Sequence, residues 1–220
     1  MGRSLKDSKV SLVIPLFNEE GCVRELFKEI STAMDGIDCA NYEVVLVDDC
    51  SRDKTLEVVE ELAANNSAIK CLSLSRNVGH QNALSCGLNA ADGDIIITLD
   101  GDLQHPPALF PEMLRLWEDG ADVVNTIRRN SGSSNLVEKT FSKWFYRIFN
   151  RVAEVSLVPG SADFRLLDRQ CVDALNGMTE HCKFFRGQVP YIGFKQVELL
   201  FDCPPRFSGN RSYTLRQSFR

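Results

Sequence analysis

Three short stretches carry side chains of the kind that handle phosphates and metal ions: Pro15-Leu16-Phe17-Asn18-Glu19-Glu20, Asp48-Asp49-Cys50-Ser51-Arg52-Asp53 and Asp100-Gly101-Asp102-Leu103-Gln104-His105-Pro106-Pro107. Taken singly, each suits a turn or helix cap, and Ser51 and Asp53 are best read that way. Asp48, Asp49, Asp100 and Asp102 ask for more, because four carboxylates converging at one place repel one another unless a cation or hydrogen-bond donors compensate them. A divalent metal bridging carboxylates to a diphosphate is the economical compensation. In the Asp-Gly-Asp turn the second carboxylate would sit on Mg²⁺ or Mn²⁺, the glycine would let a ligand approach closely, and Gln104 would add a neutral oxygen. His105 reads as a neighbour rather than a ligand of so hard a cation.

Convergence requires elements that bring the three stretches to one edge. Short apolar runs at Ser11 to Phe17, Glu43 to Val47, Ile69 to Leu74, Ile95 to Leu99 and Val123 to Thr126 predict buried strands. Helical patterns fall between them, roughly Glu19 to Met34, Asp53 to Ala64, Gln81 to Ala91 and Pro107 to Trp117, with Asp53 and Pro107 suited to helix starts. Alternation of this kind predicts an α/β fold, a mostly parallel sheet with helices on both faces. Ligands of such sheets bind beyond the carboxyl ends of the strands, where the first, second and fourth runs deliver the acidic stretches.

The chain has 220 residues, 44% of them hydrophobic, enough for one sizeable core. One catalytic domain is expected over 1–203, followed by a basic end over 204–220. Eight cysteines are scattered without a C-x-x-C pair, which predicts reduced thiols in a cytosolic compartment. No apolar leader follows Met1, and no run approaches the roughly 18 apolar residues of a membrane span. The net charge of −5 disfavours nucleic acid as a partner. It also conceals an asymmetry. Arg206, Arg211, Arg216 and Arg220 follow Cys203 with no acid among them, and Arg128, Arg129, Lys139, Lys143, Arg147 and Arg151 face only Glu138. An anionic partner is expected on that side.

Between Leu136 and Leu157 the basic residues recur every four positions, while Val137, Phe141, Trp144, Phe145, Ile148 and Val152 share another face. The pattern predicts a basic amphipathic helix, about 135–157, lying on an anionic membrane surface. A helix docked on the domain with its charges in water is the alternative.

P-x-F-N-E-E, V-D-D-x-S-x-D and L-D-G-D-L-Q-H-P-P, in this order, resemble the inverting nucleotide-sugar glycosyltransferases of family 2, which have the GT-A fold. The polyprenyl-phosphate subgroup, with dolichol-phosphate mannose synthase and the undecaprenyl-phosphate glucosyltransferases, is the nearer likeness. It extends to Ser75-Arg76-Asn77-Val78-Gly79 with Gln81, to Ser161 through Arg169, and to Arg186-Gly187 before Ile192-Gly193-Phe194, spanning about Ser11 to Tyr213. The resemblance implies a donor site of Pro15, Phe17, Asn18, Glu19, Asp48, Asp49, Arg76, Gln81, Asp100 and Gly101, with Asp49 on the base. It implies a metal held by Asp100, Asp102 and Gln104, and catalytic roles for Asp102 and Asp163. One departure stands near the end: the subgroup reads Gly-x-Ser-Lys-Tyr where this chain reads Gly209-Asn210-Arg211-Ser212-Tyr213, which puts the lysine's role in doubt or on Arg211. The subgroup also implies transmembrane helices after the basic end, and so a place on the cytoplasmic face of a membrane.

The implied acceptor is a lipid monophosphate. With a second pKa of about 6 it is largely dianionic at neutral pH, so Asp163 is expected to position it rather than deprotonate it. Cations must then hold it beside the donor, and Arg128, Arg129, Arg206 and Arg211 are the candidates. UDP-glucose is the favoured donor, with GDP-mannose next. The rival readings are a soluble glycosyltransferase acting on a saccharide or protein, and a noncatalytic nucleotide-binding module. A dinucleotide oxidoreductase is disfavoured because no G-x-G-x-x-G follows the first strand. A homo-oligomer is compatible with any of these.

Overall fold

Seven strands and six helices form from this alternation in a computed structural model, which describes residues 3–129, 160–180 and 183–204. The strands are β1 (Lys9–Leu16), β2 (Asn41–Asp48), β3 (Ile69–Ser73), β4 (Ile95–Thr98), β5 (Val123–Arg128), β6 (Ser161–Asp168) and β7 (Gln196–Phe201). They make one sheet in the order β3-β2-β1-β4-β6-β5-β7. Every neighbouring pair is parallel except the two that involve β6, which runs against β4 and β5. The expected α/β fold, a mostly parallel sheet with helices on both faces, is present.

Period-two alternation divides the core between the two faces. Val10, Leu12, Ile14 and Leu16 of β1 pack on one side with α1 (Val23–Asp35), α2 (Thr55–Asn65) and α4 (Phe110–Glu118). Val13, Val45 and Val47 pack on the other with α3 (His80–Ala90), α5 (Arg169–Asn176) and α6 (Phe185–Tyr191). Each fully buried Leu or Ile contributes about 2 kcal/mol by leaving water. Gly87 lets α3 approach the sheet: a β-carbon there would overlap Val13 Cγ1 and stand 3.0 Å from Val47 Cγ2.

The five strands predicted from the sequence occur within a few residues of their expected bounds; α3 starts one residue early, at His80, and the other three predicted helices start later than expected. α1 begins at Val23 rather than Glu19, because Asn18 adopts a left-handed φ of 56° and turns the chain first. Asp53 precedes α2, accepting hydrogen bonds from Thr55 N and Oγ1 at 3.0 and 2.6 Å. Pro107 opens a 3-10 turn (Pro107–Leu109) that leads into α4.

The amino ends of β1 and β2 carry a buried carboxylate. Glu43 is 4% exposed and accepts hydrogen bonds from Ser11 Oγ at 2.6 Å, Asp92 N at 2.7 Å and Lys9 Nζ at 2.9 Å, with Lys70 Nζ also at 2.9 Å. Burial works to raise its pKa, but these donors outweigh it and lower the value to about 2.

Among the described residues no helix is long and apolar enough to cross a membrane, and seven cysteines are free thiols. The predicted helix at about 135–157 lies outside the described residues, as do Arg206, Arg211 and nearly all of the basic end.

Candidate active site

The carboxyl ends of β1, β2 and β4, with the beginning of the antiparallel β6, meet at one edge of the sheet. Parallel register puts Leu16 beside Asp48, and Asp49 N donates to Leu16 O at 2.8 Å, so the loops after β1 and β2 leave together. They are stapled to each other by Asn18 N on Ser51 Oγ (3.0 Å), Arg52 N on Asn18 Oδ1 (2.8 Å) and Glu19 N on Thr55 Oγ1 (2.8 Å). Pro15 is buried in β1, whereas Asn18 is exposed and Phe17 and Glu19 lie half-buried at the rim. Three residues here, Asn18, Cys50 and Leu103, hold positive φ without being glycine, one in the loop after each of the three strands. Such strain persists only where surroundings impose it, and it clusters at sites of function.

Asp48 and Asp49 are both buried, with different partners. Asp48 receives Ser51 N at 3.1 Å. Asp49 receives Val78 N on Oδ1 at 2.7 Å and Gly79 N on Oδ2 at 2.9 Å. Burial pushes the Asp49 carboxyl up, the Asp48 charge adds to this, and the two amides oppose it. A carboxylate can accept about four hydrogen bonds, so Asp49 keeps capacity for a further donor while organising the 77–79 loop. Gly79 suits this turn because its φ is 87°. Arg76, on the same loop, is exposed and makes no ion pair among the described residues.

The Asp-Gly-Asp turn follows β4 and is packed from below. Gly101 is buried against Leu16, where a β-carbon would overlap Leu16 Cδ2. Asp102 Oδ1 accepts Gln104 N at 3.1 Å, and Gln104 O receives Cys203 Sγ at 3.6 Å. Asp100 Oδ1 meets His80 Nε2 at 2.8 Å, and Asp100 N donates to His105 Nδ1 at 2.9 Å. His105 is completely buried, stacked on Phe164 with ring centroids 5.1 Å apart, and its Nε2 faces Arg128 Nη2 at 3.2 Å. Burial drives the His105 pKa down and Arg128 helps, against the pull of Asp100. Burial alone would raise Asp100, but His105, His80 and Arg128 outweigh it and hold the carboxyl well below the usual range.

Asp163 enters from β6. Its Oδ2 accepts Gln81 Nε2 at 3.1 Å and Arg186 Nη2 at 3.3 Å, and its Oδ1 accepts Arg165 Nη2 at 3.3 Å. Arg165 is 2% exposed and also donates to Ala162 O and Phe185 O, so this buried cation depends on Asp163 for its charge partner. The side chain therefore does structural work as well as facing the cleft.

Among the described residues no group of three or more His, Cys, Asp and Glu is arranged to hold a metal ion by itself. Two carboxylates on one turn, with a neutral amide beyond them, suit Mg²⁺ or Mn²⁺, which is commonly held by one or two carboxylates together with substrate phosphates. The residues present fit the group.

The structure thus brings together Pro15, Phe17, Asn18, Glu19, Asp48, Asp49, Gln81, Asp100, Gly101, Asp102, Gln104 and Asp163. It puts Arg128 Nη2 3.2 Å from His105 Nε2. Arg129 is exposed at the end of β5, 3.8 Å from Asp202. Three contributors carry no role in the sequence reading, His80, Arg165 and Arg186, and His105 reads there as a neighbour of the site. The signal for His80 was its place between Gly79 and Gln81; Arg165 showed none, since a buried arginine looks like a surface one in sequence.

Sheet order, a single reversed strand and acid-bearing loops at the carboxyl edge define a GT-A protein. The solved glucosyl-3-phosphoglycerate synthase of Mycobacterium tuberculosis, in complex with Mn²⁺, UDP-glucose and phosphoglyceric acid, superposes with a TM-score of 0.61 at 19% identity, covering 96% of this chain and 75% of that one. The model of glycosyl transferase family 2 matches residues 11–175, and the chain belongs to that family. An uncharacterized glycosyltransferase of Synechocystis is 36% identical over 205 residues, covering 93% of this chain and 64% of that protein. A prophage bactoprenol glucosyl transferase homolog of Escherichia coli is 30% identical over 205 residues, covering 93% of this chain and 67% of that protein. The chain therefore spans just under two thirds of the length of the Synechocystis relative.

Proposed function

We propose that this chain is the catalytic domain of an inverting, metal-dependent glycosyltransferase that moves a hexose from a nucleotide-sugar, UDP-glucose by preference, to a polyprenyl phosphate. The observation that carries the reading is the Asp100-Gly101-Asp102 turn, standing beside buried Asp49 on one side and Asp163 on the other. The bactoprenol name of the E. coli relative supports the lipid acceptor. The Mn²⁺ and UDP-glucose of the M. tuberculosis enzyme support the cofactor and donor.

In this reading the rim of Pro15, Phe17, Asn18 and Glu19, with Asp48, Asp49 and Arg76, takes the nucleoside. Asp100, Asp102 and Gln104 hold Mg²⁺ or Mn²⁺, which when bound lowers the cost of charge on the departing diphosphate. An acceptor phosphate oxygen attacks C1 of the sugar as the bond from C1 to the diphosphate oxygen breaks, which inverts that carbon. The attacking oxygen is already anionic, so no strong base is required. Asp163, tied to Arg165, Arg186 and Gln81, orients the acceptor. Arg128 supplies positive charge at the inner end of the cleft. Arg128 and Arg129, with Arg206 and Arg211 beyond the described residues, are the candidates for the acceptor phosphate. The basic amphipathic helix expected from the sequence at about 135–157, outside the described residues, would bring the domain to the cytoplasmic face, where the lipid lies.

The test is transfer of radiolabelled glucose from UDP-glucose to a short polyprenyl phosphate, with Mn²⁺ and with a chelator. Metal-dependent product supports the reading. Transfer that ignores chelation, or goes only to water-soluble sugars, contradicts it.

A further inference from the structure

Between Asp100 and Asp163 lie two adjacent side chains whose hydrogen bonds form one continuous chain. Phe185 N donates to Gln81 Oε1 at 3.0 Å, which fixes which end of the amide is oxygen. Gln81 Nε2 then has two hydrogens and two acceptors, His80 Nδ1 at 3.2 Å and Asp163 Oδ2 at 3.1 Å. His80 Nε2 carries a hydrogen and gives it to Asp100 Oδ1 at 2.8 Å. Donors and acceptors match along the whole path from one carboxylate to the other.

We propose that His80, braced by Gln81, is a positioning residue that fixes the Asp100 carboxylate relative to Asp163. The inference rests on the functional reading above, in which Asp100 belongs to the donor side of the cleft and Asp163 to the acceptor side.

Placement supports the assignment. His80 is the first residue of α3, where helix packing against β1 and β2 holds its backbone, and its side chain is 30% exposed toward the cleft. Only Asp100 Oδ1 is taken. Among the described residues Oδ2 accepts no hydrogen bond, since His105 Nδ1 is 3.6 Å away, too far for one. One oxygen is thus anchored while the other stays available. The four residues 78–81 therefore fasten all three walls of the cleft: Val78 and Gly79 hold Asp49, His80 holds Asp100 and Gln81 holds Asp163. A shift of about 1 Å between reacting groups can lower turnover about a hundredfold, so a brace of this kind belongs in the rate.

The test pairs two variants of the full chain with a spectroscopic readout. His80→Ala removes both contacts. His80→Gln puts an amide N–H near the position of Nε2 and restores the one to Asp100. The expected result is a fall in kcat of about a hundredfold for His80→Ala, recovery to within about tenfold of the parent for His80→Gln, and an unchanged KM for the acceptor. Long-range ¹H–¹⁵N spectra of the parent, with neither donor nor metal, should show a hydrogen on His80 Nε2. Equal impairment of both variants, parental kcat in His80→Ala, or the Nδ1–H tautomer would overturn the proposal. If the parent chain transferred nothing to polyprenyl phosphate, the functional reading would fail by itself, and the tautomer would still decide whether His80 holds Asp100.

Discussion

The two edges of the sheet treat buried carboxylates in opposite ways. At the amino edge Glu43 is enclosed by two lysines, a hydroxyl and a backbone amide, so its charge is compensated inside the protein. At the carboxyl edge, among the described residues, the hydrogen bonds to the Asp48 and Asp49 carboxylates come from backbone amides, and Asp100 faces two histidines and an arginine. Asp48, Asp49, Asp100 and Asp102 all stand at that edge, and no lysine among the described residues pairs with Asp48, Asp49 or Asp100. The difference separates a structural lock from a binding site: a satisfied carboxylate stabilises the fold, while a surplus of them in one cleft is tolerable only if a cation or a donor-rich ligand completes it.

The sharpest break in this comparison comes from exchanging one carboxylate for its amide at each edge. Asp102→Asn should lower metal-dependent transfer by at least about a hundredfold, a loss typical of a group aimed at developing charge, while its melting temperature stays within a few degrees of the parent. Radiochemical initial rates and a melting curve check both halves.

Asp163→Asn should act less strongly, by roughly tenfold to a hundredfold in turnover, because it misplaces the acceptor. The pH profile should keep both limbs, since a positioning group has no ionisation that the rate follows; loss of the basic limb would make Asp163 a base. Some stability should go as well, because Arg165 loses its charge partner in a buried setting.

At the amino edge, Glu43→Gln should cost roughly 2 kcal/mol and leave kcat untouched. Its pKa lies near 2 in the fold against an ordinary 4.5, so the stabilisation is full above about pH 5 and disappears as pH falls through 4.5 toward 2. Melting curves of parent and variant should therefore differ at pH 7 and converge in acid. A gap that widened on acidification would contradict the assignment.

The smallest effect belongs to the backbone. Cys50→Gly should alter stability by no more than about 1 kcal/mol, since glycine relieves a φ of 58° but loosens the unfolded chain. Chemical denaturation resolves a change of that size.

How far the sequence revealed these regions follows from the physics of each. β1, β2 and β4 announce themselves as uninterrupted apolar runs, and the acidic stretches that end them mark the cleft. β6 is harder to see because Asp163 and Arg165 interrupt it, and those polar residues are buried through each other, a pairing visible only once α6 and β6 are folded. His80 drew no reading from the sequence, because its partner Asp100 is twenty positions away and joins it only through the parallel register of β1, β2 and β4. The Glu43 lock was likewise hidden, since Lys9, Lys70 and Asp92 come from three separate elements.

The central claim, that the carboxyl edge of β4 holds a nucleotide-sugar through a divalent cation, is tested most directly by calorimetric titration of UDP-glucose into the chain with Mn²⁺ and with a chelator. The account predicts at least about tenfold tighter binding with Mn²⁺, which is roughly 1.4 kcal/mol, an advantage lost in Asp102→Asn and retained in Glu43→Gln. Equal affinity with and without the metal, or an Asp102→Asn variant that keeps the full Mn²⁺ advantage, would contradict it.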